Sequence, residues 1–172
     1  MNPSMDRAAM QEALEELNAT LKRHGVRADL YVFGGAAMVL AYGADRPTRD
    51  IDAKFEPHGA VLQAAQEVAS RLDLPRSWLN DQASVYLSQQ RDTGQAPVFD
   101  RSHLRVQAAS AEHLVAMKVL AAREHDLADL RLLIGRLGLR DAAEAEAITR
   151  RFFPDEDIPA RNLMALEDLF AG

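Results

Sequence analysis

The sequence predicts an α+β protein in which a sheet-bearing core, about residues 1–109, is followed by a helical region, about residues 110–172. Three patterns predict this class. A short apolar run, Leu30–Phe33, ends in a pair of glycines, apolar and polar residues alternate over 49–56, and apolar residues at helical spacing follow Ser110. A length of 172 residues suits one domain, so we expect a single folding unit.

The composition excludes several classes of protein. Hydrophobic residues make up 48% and charged residues 27%, as in ordinary globular proteins, and no apolar run is long enough to cross a bilayer. The first eleven residues lack the apolar core of an export signal, so we expect a cytoplasmic protein without a membrane partner. The absence of cysteine excludes disulfides, zinc–thiolate sites and a cysteine nucleophile. A net charge of −6 argues against general binding to polyanions, which needs clustered lysine and arginine, but does not exclude a local basic patch.

The first three predicted elements are a helix, a strand and a helix. Apolar residues recur at spacings of four, three and four on one helical face that Gly25 ends: Met10, Leu14, Leu17 and Leu21. Leu30–Phe33 is too short for a helix and predicts a buried strand, which Gly34–Gly35 ends. Ala36–Tyr42 predicts a short helix that begins directly after the glycine pair and ends before Gly43.

The next segment predicts a half-buried strand. Between Arg49 and Glu56 the apolar side chains point one way, and the side chains of Asp50, Asp52 and Lys54 point the other way. A helix over 61–72 follows and ends before Pro75.

The remaining elements are mostly helical. Residues 78–81 predict a turn into short extended segments around 84–87, and residues 89–97 predict a loop. Leu104–Ala108 predicts a strand, and Ser110 predicts the N-cap of a helix on which Lys118 lies close to the buried stripe. Further helices are expected over 127–138, 141–153 and 159–170.

Two features of the core suggest chemistry. Two aspartates at positions i and i+2 of a strand project to the same side, with Cα atoms roughly 6 to 7 Å apart, so Asp50 and Asp52 can share one hard divalent cation. Oxygen ligands favour magnesium or manganese. At the strand-to-helix junction, Gly34–Gly35 lets backbone N–H groups approach a phosphate at the positive end of a helix. Together these features predict a site for a nucleoside triphosphate and its metal.

These residues resemble a known family. Phe33-Gly34-Gly35, the segment 46–52 that ends in Asp50-Ile51-Asp52, and Lys118 with the segment 123–129 are similar to motifs of the DNA polymerase β-like nucleotidyltransferase superfamily. Within it, the chain most resembles small bacterial proteins of the AbiEii/MenT kind and their uncharacterised relatives. The resemblance covers roughly residues 31–134.

The resemblance implies a nucleotidyltransferase-like mixed β-sheet flanked by helices, with a helical C-terminal region, and nucleotide transfer that depends on Mg²⁺ or Mn²⁺. A nucleoside triphosphate is the implied substrate, tRNA or a cognate protein is the first implied acceptor or partner, and a role in a toxin–antitoxin pair is implied as well. The implied metal ligands are Asp50 and Asp52, both also catalytic, as is Lys118. The implied nucleotide-binding residues are Gly34, Gly35, Arg46, Thr48, Arg49 and Lys118.

Two departures from the family pattern bear on activity. Many active members carry serine where this chain has Gly35, and a third carboxylate on a later strand, whereas Leu104–Ala108 contains none. Asp100, Asp126 and Asp129 are the acids that could supply the missing oxygen. A catalytically degenerate binding module that acts through a protein partner is therefore the alternative function.

Structural interpretations compete with each of these assignments. Gly34–Gly35 could be a simple tight turn, and a lone Asp-x-Asp on a strand is often solvated. Lys118 could extend its amine out of the core, and Arg46 and Arg49 could be surface charges. The acids Asp126 and Asp129 could pair on a helix surface with Arg123 and Arg131. The histidines lack metal-like spacing, and neither an EF-hand loop nor a phosphatase-type motif fits the residues around Asp50.

Overall fold

A computed structural model describes residues 4–172, and these residues divide into two compact units. The first unit comprises the chain up to residue 85 together with 95–108, and the second comprises 86–94 together with 109–172. Within the described residues, the sheet and three α-helices lie in the first unit and four α-helices lie in the second. That the whole chain forms a single domain stays a prediction.

The first unit has an α+β architecture. Its strands form a mixed five-stranded sheet in the order β3-β2-β1-β5-β4, in which β1 runs parallel to β5 and antiparallel to β2. The sheet and its flanking helices confirm the predicted fold class. The elements in chain order are α1 (Arg7–Arg23), β1 (Ala28–Phe33), α2 (Gly34–Tyr42), β2 (Ile51–Glu56), α3 (His58–Leu72), β3 (Leu79–Asn80), β4 (Ala96–Asp100) and β5 (Leu104–Ala108).

One face of the sheet carries the core. Alternate residues of β1, β2 and β5 are buried there, among them Val32, Ile51 and Val106, and the helices α1 and α3 pack against each other and against β5 and β2. The four apolar residues predicted to share one face of α1 are all buried. Polar side chains on the opposite face of the same strands are exposed or half-buried, so this second face offers the room for chemistry.

The structure corrects the prediction in two segments. Residues Gln82–Tyr86 form a 3₁₀ helix, so the extended segments predicted around 84–87 were wrong. The stretch predicted as a loop ends early, because Ala96 and Pro97 already belong to β4. Proline is tolerated there because β4 is an edge strand, and its pairing with β5 is irregular between Pro97 and Phe99.

The two-residue strand β3 is held in place by Trp78. This side chain is fully buried, and its indole N–H donates a hydrogen bond of 2.8 Å to the carbonyl of Ala65 in α3. The carbonyl of Trp78 accepts the N–H of Ile51 at 2.6 Å. A strand too short to be stable alone is thereby fixed beside β2.

The second unit is helical, as predicted. Its elements are α4 (Ala111–Ala121), α5 (Asp126–Leu137), α6 (Ala142–Phe152) and α7 (Ala160–Ala171), and α4 packs against the other three. Ser110 caps α4 by accepting the N–H of His113 at 3.0 Å, which confirms the predicted N-cap. None of the helices within residues 4–172 has the length and apolar character needed to span a membrane.

Candidate active site

The junction of β1 and α2 is the start of a helix that no side chain of its N-cap residue caps. Phe33 is extended, Gly34 adopts the left-handed conformation with φ of 64°, and α2 starts at Gly34 without a side-chain cap. The first N–H groups of a helix have no partner inside the helix and carry its partial positive charge. This end of α2 therefore has the geometry and the sign of charge that bind an anion.

The atoms next to Gly34 and Gly35 leave too little space for a larger residue at either position. A Cβ atom on Gly34 would lie 3.1 Å from the carboxylate Oδ2 of Asp52, at a backbone conformation that side chains rarely adopt. A Cβ atom on Gly35 would lie 2.9 Å from Cγ2 of Thr48 and 3.5 Å from the guanidinium nitrogens of Arg46. The methyl group of Thr48 thus fills the space that a serine at position 35 would need, which explains this departure from the family pattern.

The loop that carries Arg46, Thr48 and Arg49 is tied down at its centre. Thr48 forms two backbone hydrogen bonds with Met5, of 2.7 and 2.9 Å, and its hydroxyl donates to the carbonyl of Asp50 at 2.9 Å. Arg46 is half-buried against the glycine turn, whereas Arg49 is exposed. The loop therefore places one arginine beside the start of α2 and fixes the backbone at Asp50.

The two aspartates lie on the same side of the sheet edge. Ile51 and Ala53 are fully buried, so the alternation along β2 turns Asp52 to the opposite face, in register with Phe33. Asp52 also pairs in register with Asn80 of β3, and the amide of Asn80 donates to Oδ2 of Asp50 at 3.2 Å. Both aspartates are half-buried, and Asn80 binds the carboxylate of Asp50 from the strand position next to Asp52.

A second charged cluster lies within the helical unit. Lys118 is 6% exposed, and its amine contacts Oδ1 of Asp126 at 3.0 Å and Oδ2 of Asp129 at 2.8 Å. Both carboxylates are buried. We refer to Lys118, Asp126 and Asp129 as the lysine triad. These ion pairs explain why a lysine lies next to the apolar stripe. The amine of Lys118 is buried and does not extend out of the core, which was the alternative considered from the sequence.

Asp126 also binds Arg123. Its Oδ2 accepts hydrogen bonds from the backbone N–H and from Nε of Arg123, both at 3.1 Å. Burial raises the pKa of Asp126, but the nearby charges and hydrogen bonds of Lys118 and Arg123 outweigh burial and lower the pKa below its ordinary value of 3.8. The carboxylate is therefore held in its ionised form.

Comparison with protein families decides the membership of the chain. The sequence model of a family described as a nucleotidyltransferase of unknown function (DUF6036) matches residues 8–141, which is most of the chain. The chain belongs to this nucleotidyltransferase family. No curated protein gave a significant match, and no solved structure did.

In this nucleotidyltransferase-family protein, the matched range contains every residue that the sequence singled out for chemistry. The first unit brings together Gly34, Gly35, Arg46, Thr48, Asp50 and Asp52. The second unit brings together Lys118, Asp126 and Asp129. The family membership confirms the resemblance at the level of a nucleotidyltransferase family, and the closer likeness to AbiEii/MenT proteins stays a prediction.

Asp100 lies at the wrong end of the sheet to join the aspartate pair. It pairs in register with Arg105, which pairs with Asp29 at the start of β1, whereas Asp52 pairs with Phe33 at the end of β1. Four residues of a strand span roughly 13 Å, and β4 is three strands away from β2. The described residues include no cluster of three or more histidine, aspartate or glutamate side chains that could hold a metal ion.

The donor set at the aspartate pair nevertheless fits magnesium. Mg²⁺ commonly takes one or two protein carboxylates and completes its coordination with water and substrate phosphates. Asp50 and Asp52 supply two carboxylates, and that of Asp52 lies close to Gly34 at the start of α2. A third protein carboxylate is not a requirement of this chemistry.

Asn80 is the site residue that sequence reasoning missed. It occupies the strand position directly across from Asp52, and its amide is bonded to Asp50. Two residues are too few to show the alternation that identifies a strand. The available signal was an apolar pair, Trp78-Leu79, followed by a polar residue.

Proposed function

We propose that this protein is a magnesium-dependent nucleotidyltransferase that moves a nucleotide from a nucleoside triphosphate to a hydroxyl group of an RNA or protein acceptor. The observation that carries the proposal is the position of the Asp52 carboxylate, which lies 3.1 Å from where a Cβ on Gly34 would be, at the start of α2. The proposed phosphate site and the proposed metal-binding acids are therefore adjacent.

Each residue has a defined role in this proposal. The N–H groups at the start of α2 and the guanidinium of Arg46 bind the terminal phosphates, while Asn80 and Thr48 position Asp50. A bound Mg²⁺ would supply charge neutralisation between Asp50, Asp52 and the phosphates.

The reaction itself is an in-line displacement at the α-phosphorus. The acceptor oxygen forms a bond to that phosphorus, the bond to the bridging oxygen breaks, and pyrophosphate leaves with the negative charge. The proton of the acceptor hydroxyl passes to the solvent.

The resemblance to AbiEii/MenT-like proteins makes tRNA the first acceptor to test and a toxin–antitoxin pair the first biological setting. The acidic net charge of −6 makes a short contact with one RNA end a better match than an extended RNA interface.

A transfer assay tests the proposal. We expect α-³²P-labelled triphosphates with Mg²⁺ to label total tRNA or protein, and the double variant Asp50→Asn plus Asp52→Asn to lower the rate by about 10²–10³-fold. The control is Asp73→Asn, which changes the same side chain at an exposed helix C-cap with φ of 53°, where asparagine is tolerated. Equal labelling by the wild type and the double variant would contradict the proposal.

A non-catalytic nucleotide-binding module is the second candidate. It is favoured by Asn80, because a neutral amide stands across from Asp52 where a further carboxylate would strengthen metal binding. A melting temperature that rises with Mg²⁺ and a triphosphate, in a protein that transfers no label, would support this candidate.

A further inference from the structure

The open face of the sheet contains a cleft that none of the roles above uses. Its volume is about 320 Å³, at the lower end of the range for small-molecule sites of roughly 300–1,000 Å³. All of its lining residues belong to the first unit, and they come from β1, β2 and β5 together with Gln95, which precedes β4. We call it the sheet cleft.

The sheet cleft begins where the aspartate site ends. Lys54, Tyr31 and Gln107 form one row across β2, β1 and β5, as the register of these strands shows. This row lies two residues further along the strands than the row of Asp52 and Phe33, which corresponds to roughly 6 to 7 Å on the same face. The start of α2 therefore lies on one side of Asp52 and the cleft on the other.

The charges that line the cleft cancel. Arg105 forms a salt bridge of 2.8 Å with Asp29, and Glu56 pairs in register with the same aspartate. With Lys54, the lining contains two cations and two anions. A neutral group therefore suits the cleft better than a polyphosphate or an RNA backbone does.

The uncharged side chains suit a flat heterocycle. Gln95 and Gln107 carry amides that both donate and accept hydrogen bonds, and Tyr31 adds a half-buried aromatic ring. Amide side chains read the edges of nucleobases, and aromatic rings stack on their faces.

We infer that the sheet cleft binds the nucleoside part of the triphosphate. The inference rests on the proposed function, because that function places the terminal phosphates at α2 and the α-phosphate at Asp52. The three phosphates form an unbranched chain with the nucleoside at the end of the α-phosphate, so a nucleotide held in this order has its nucleoside next to Asp52, within reach of the cleft that begins there. Lys54, the cleft cation nearest Asp52 along β2, then lies between the α-phosphate and the ribose.

Binding measurements separate the cleft from the phosphate site. Isothermal titration would compare Mg²⁺ with ATP, GTP, CTP and UTP, and Mg²⁺ with inorganic tripolyphosphate, on the wild type and on Gln107→Ala. We expect Gln107→Ala to weaken the tightest nucleotide by about five- to tenfold, the effect of one or two lost hydrogen bonds, and to leave tripolyphosphate unchanged. The matched control is Gln63→Ala, an exposed position on α3, which should change neither.

Each of the other outcomes would overturn either the nucleoside assignment alone or the proposed function together with it. Unchanged nucleotide affinity in Gln107→Ala, with tripolyphosphate still bound, would overturn the nucleoside assignment and leave the proposed function standing. Unchanged nucleotide affinity with slower transfer to the acceptor would assign the cleft to the acceptor and overturn the inference too. If the wild type binds neither tripolyphosphate nor any nucleotide, the proposed function fails and the inference fails with it.

Discussion

At the start of α2, the half-buried carboxylate of Asp52 lies beside Gly34, whereas in the lysine triad one buried amine lies between two buried carboxylates. In the first cluster the neighbours lie so close to the glycines that an added Cβ would be 3.1 Å from Asp52 at Gly34 and 2.9 Å from Thr48 at Gly35. In the second cluster the opposite charges are already in contact. Charged residues thus form a half-buried cluster in one unit, which we propose as the ligand site, and a buried ion network in the other.

This difference predicts different consequences of substitution. Substitutions in the proposed ligand site at the start of α2 should alter ligand binding more than folding. Changes in a buried network should alter folding first, because removal of one partner leaves an uncompensated buried charge.

The largest effect on stability is expected at Lys118. Lys118→Met should lower the free energy of unfolding by about 3–5 kcal/mol, because Asp126 and Asp129 would remain buried without their cation. Urea denaturation measures the loss, and Lys22→Met, at an exposed position in the last turn of α1, serves as the control.

A second measurement would sharpen the comparison at this position. Replacement of the whole lysine triad by apolar residues should recover part of the stability, since well-packed hydrophobic groups often match a buried ion network. Should Lys118→Met instead keep full stability and lose only nucleotide binding, the role implied by the family resemblance would take precedence over the structural one.

A smaller effect is expected at the glycine turn. Gly34→Ala should cost about 1–2 kcal/mol for the left-handed backbone, and more for the contact with Asp52, whose carboxylate lies 3.1 Å from the new Cβ. Gly43→Ala is a close control, because Gly43 has φ of 73° but nothing within 4 Å of an added Cβ. Chemical denaturation gives both values, and equal losses in the two variants would show that the contact with Asp52 contributes nothing.

The smallest effect is expected in acid. The pKa of Asp126 is lower in the folded protein than its ordinary value of 3.8, so the unfolded chain takes up the proton first as the pH falls. The stability that this carboxylate contributes is complete above pH 3.8 and is lost as the pH falls through the lower folded pKa. Unfolding free energies measured between about pH 5 and pH 2 should fall more steeply for the wild type than for Asp126→Asn, and parallel curves would exclude this linkage.

The sequence predicted those structural features that depend on the local pattern of residues. The face of α1, the strand–glycine–helix unit at Gly34 and the alternation around Asp52 each lie within a few residues, and the structure has all three. The lysine on α4 was also noticed locally, because helical spacing placed it beside buried residues.

What the sequence missed depends on contacts between distant segments. Asn80 joins the aspartate pair only because Trp78 reaches across to α3, and Pro97 belongs to a strand only because β4 is at the edge of the sheet. The ion pairs of Lys118 bridge α4 and α5, and no spacing rule connects these residues. Sequence periodicity reports which residues share a face of one element, so it cannot identify a partner in another element.

The N-terminal segment has a consequence for how the protein is handled in the laboratory. Met5 is bonded to Thr48 in the loop before Asp50, and the guanidinium of Arg7 donates to the carbonyls of Val39 and Leu40 near the end of α2. Two residues near the beginning of the chain thus hold both the loop and the helix between which a triphosphate would lie. Trimming the chain to the first turn of α1 would therefore loosen both at once.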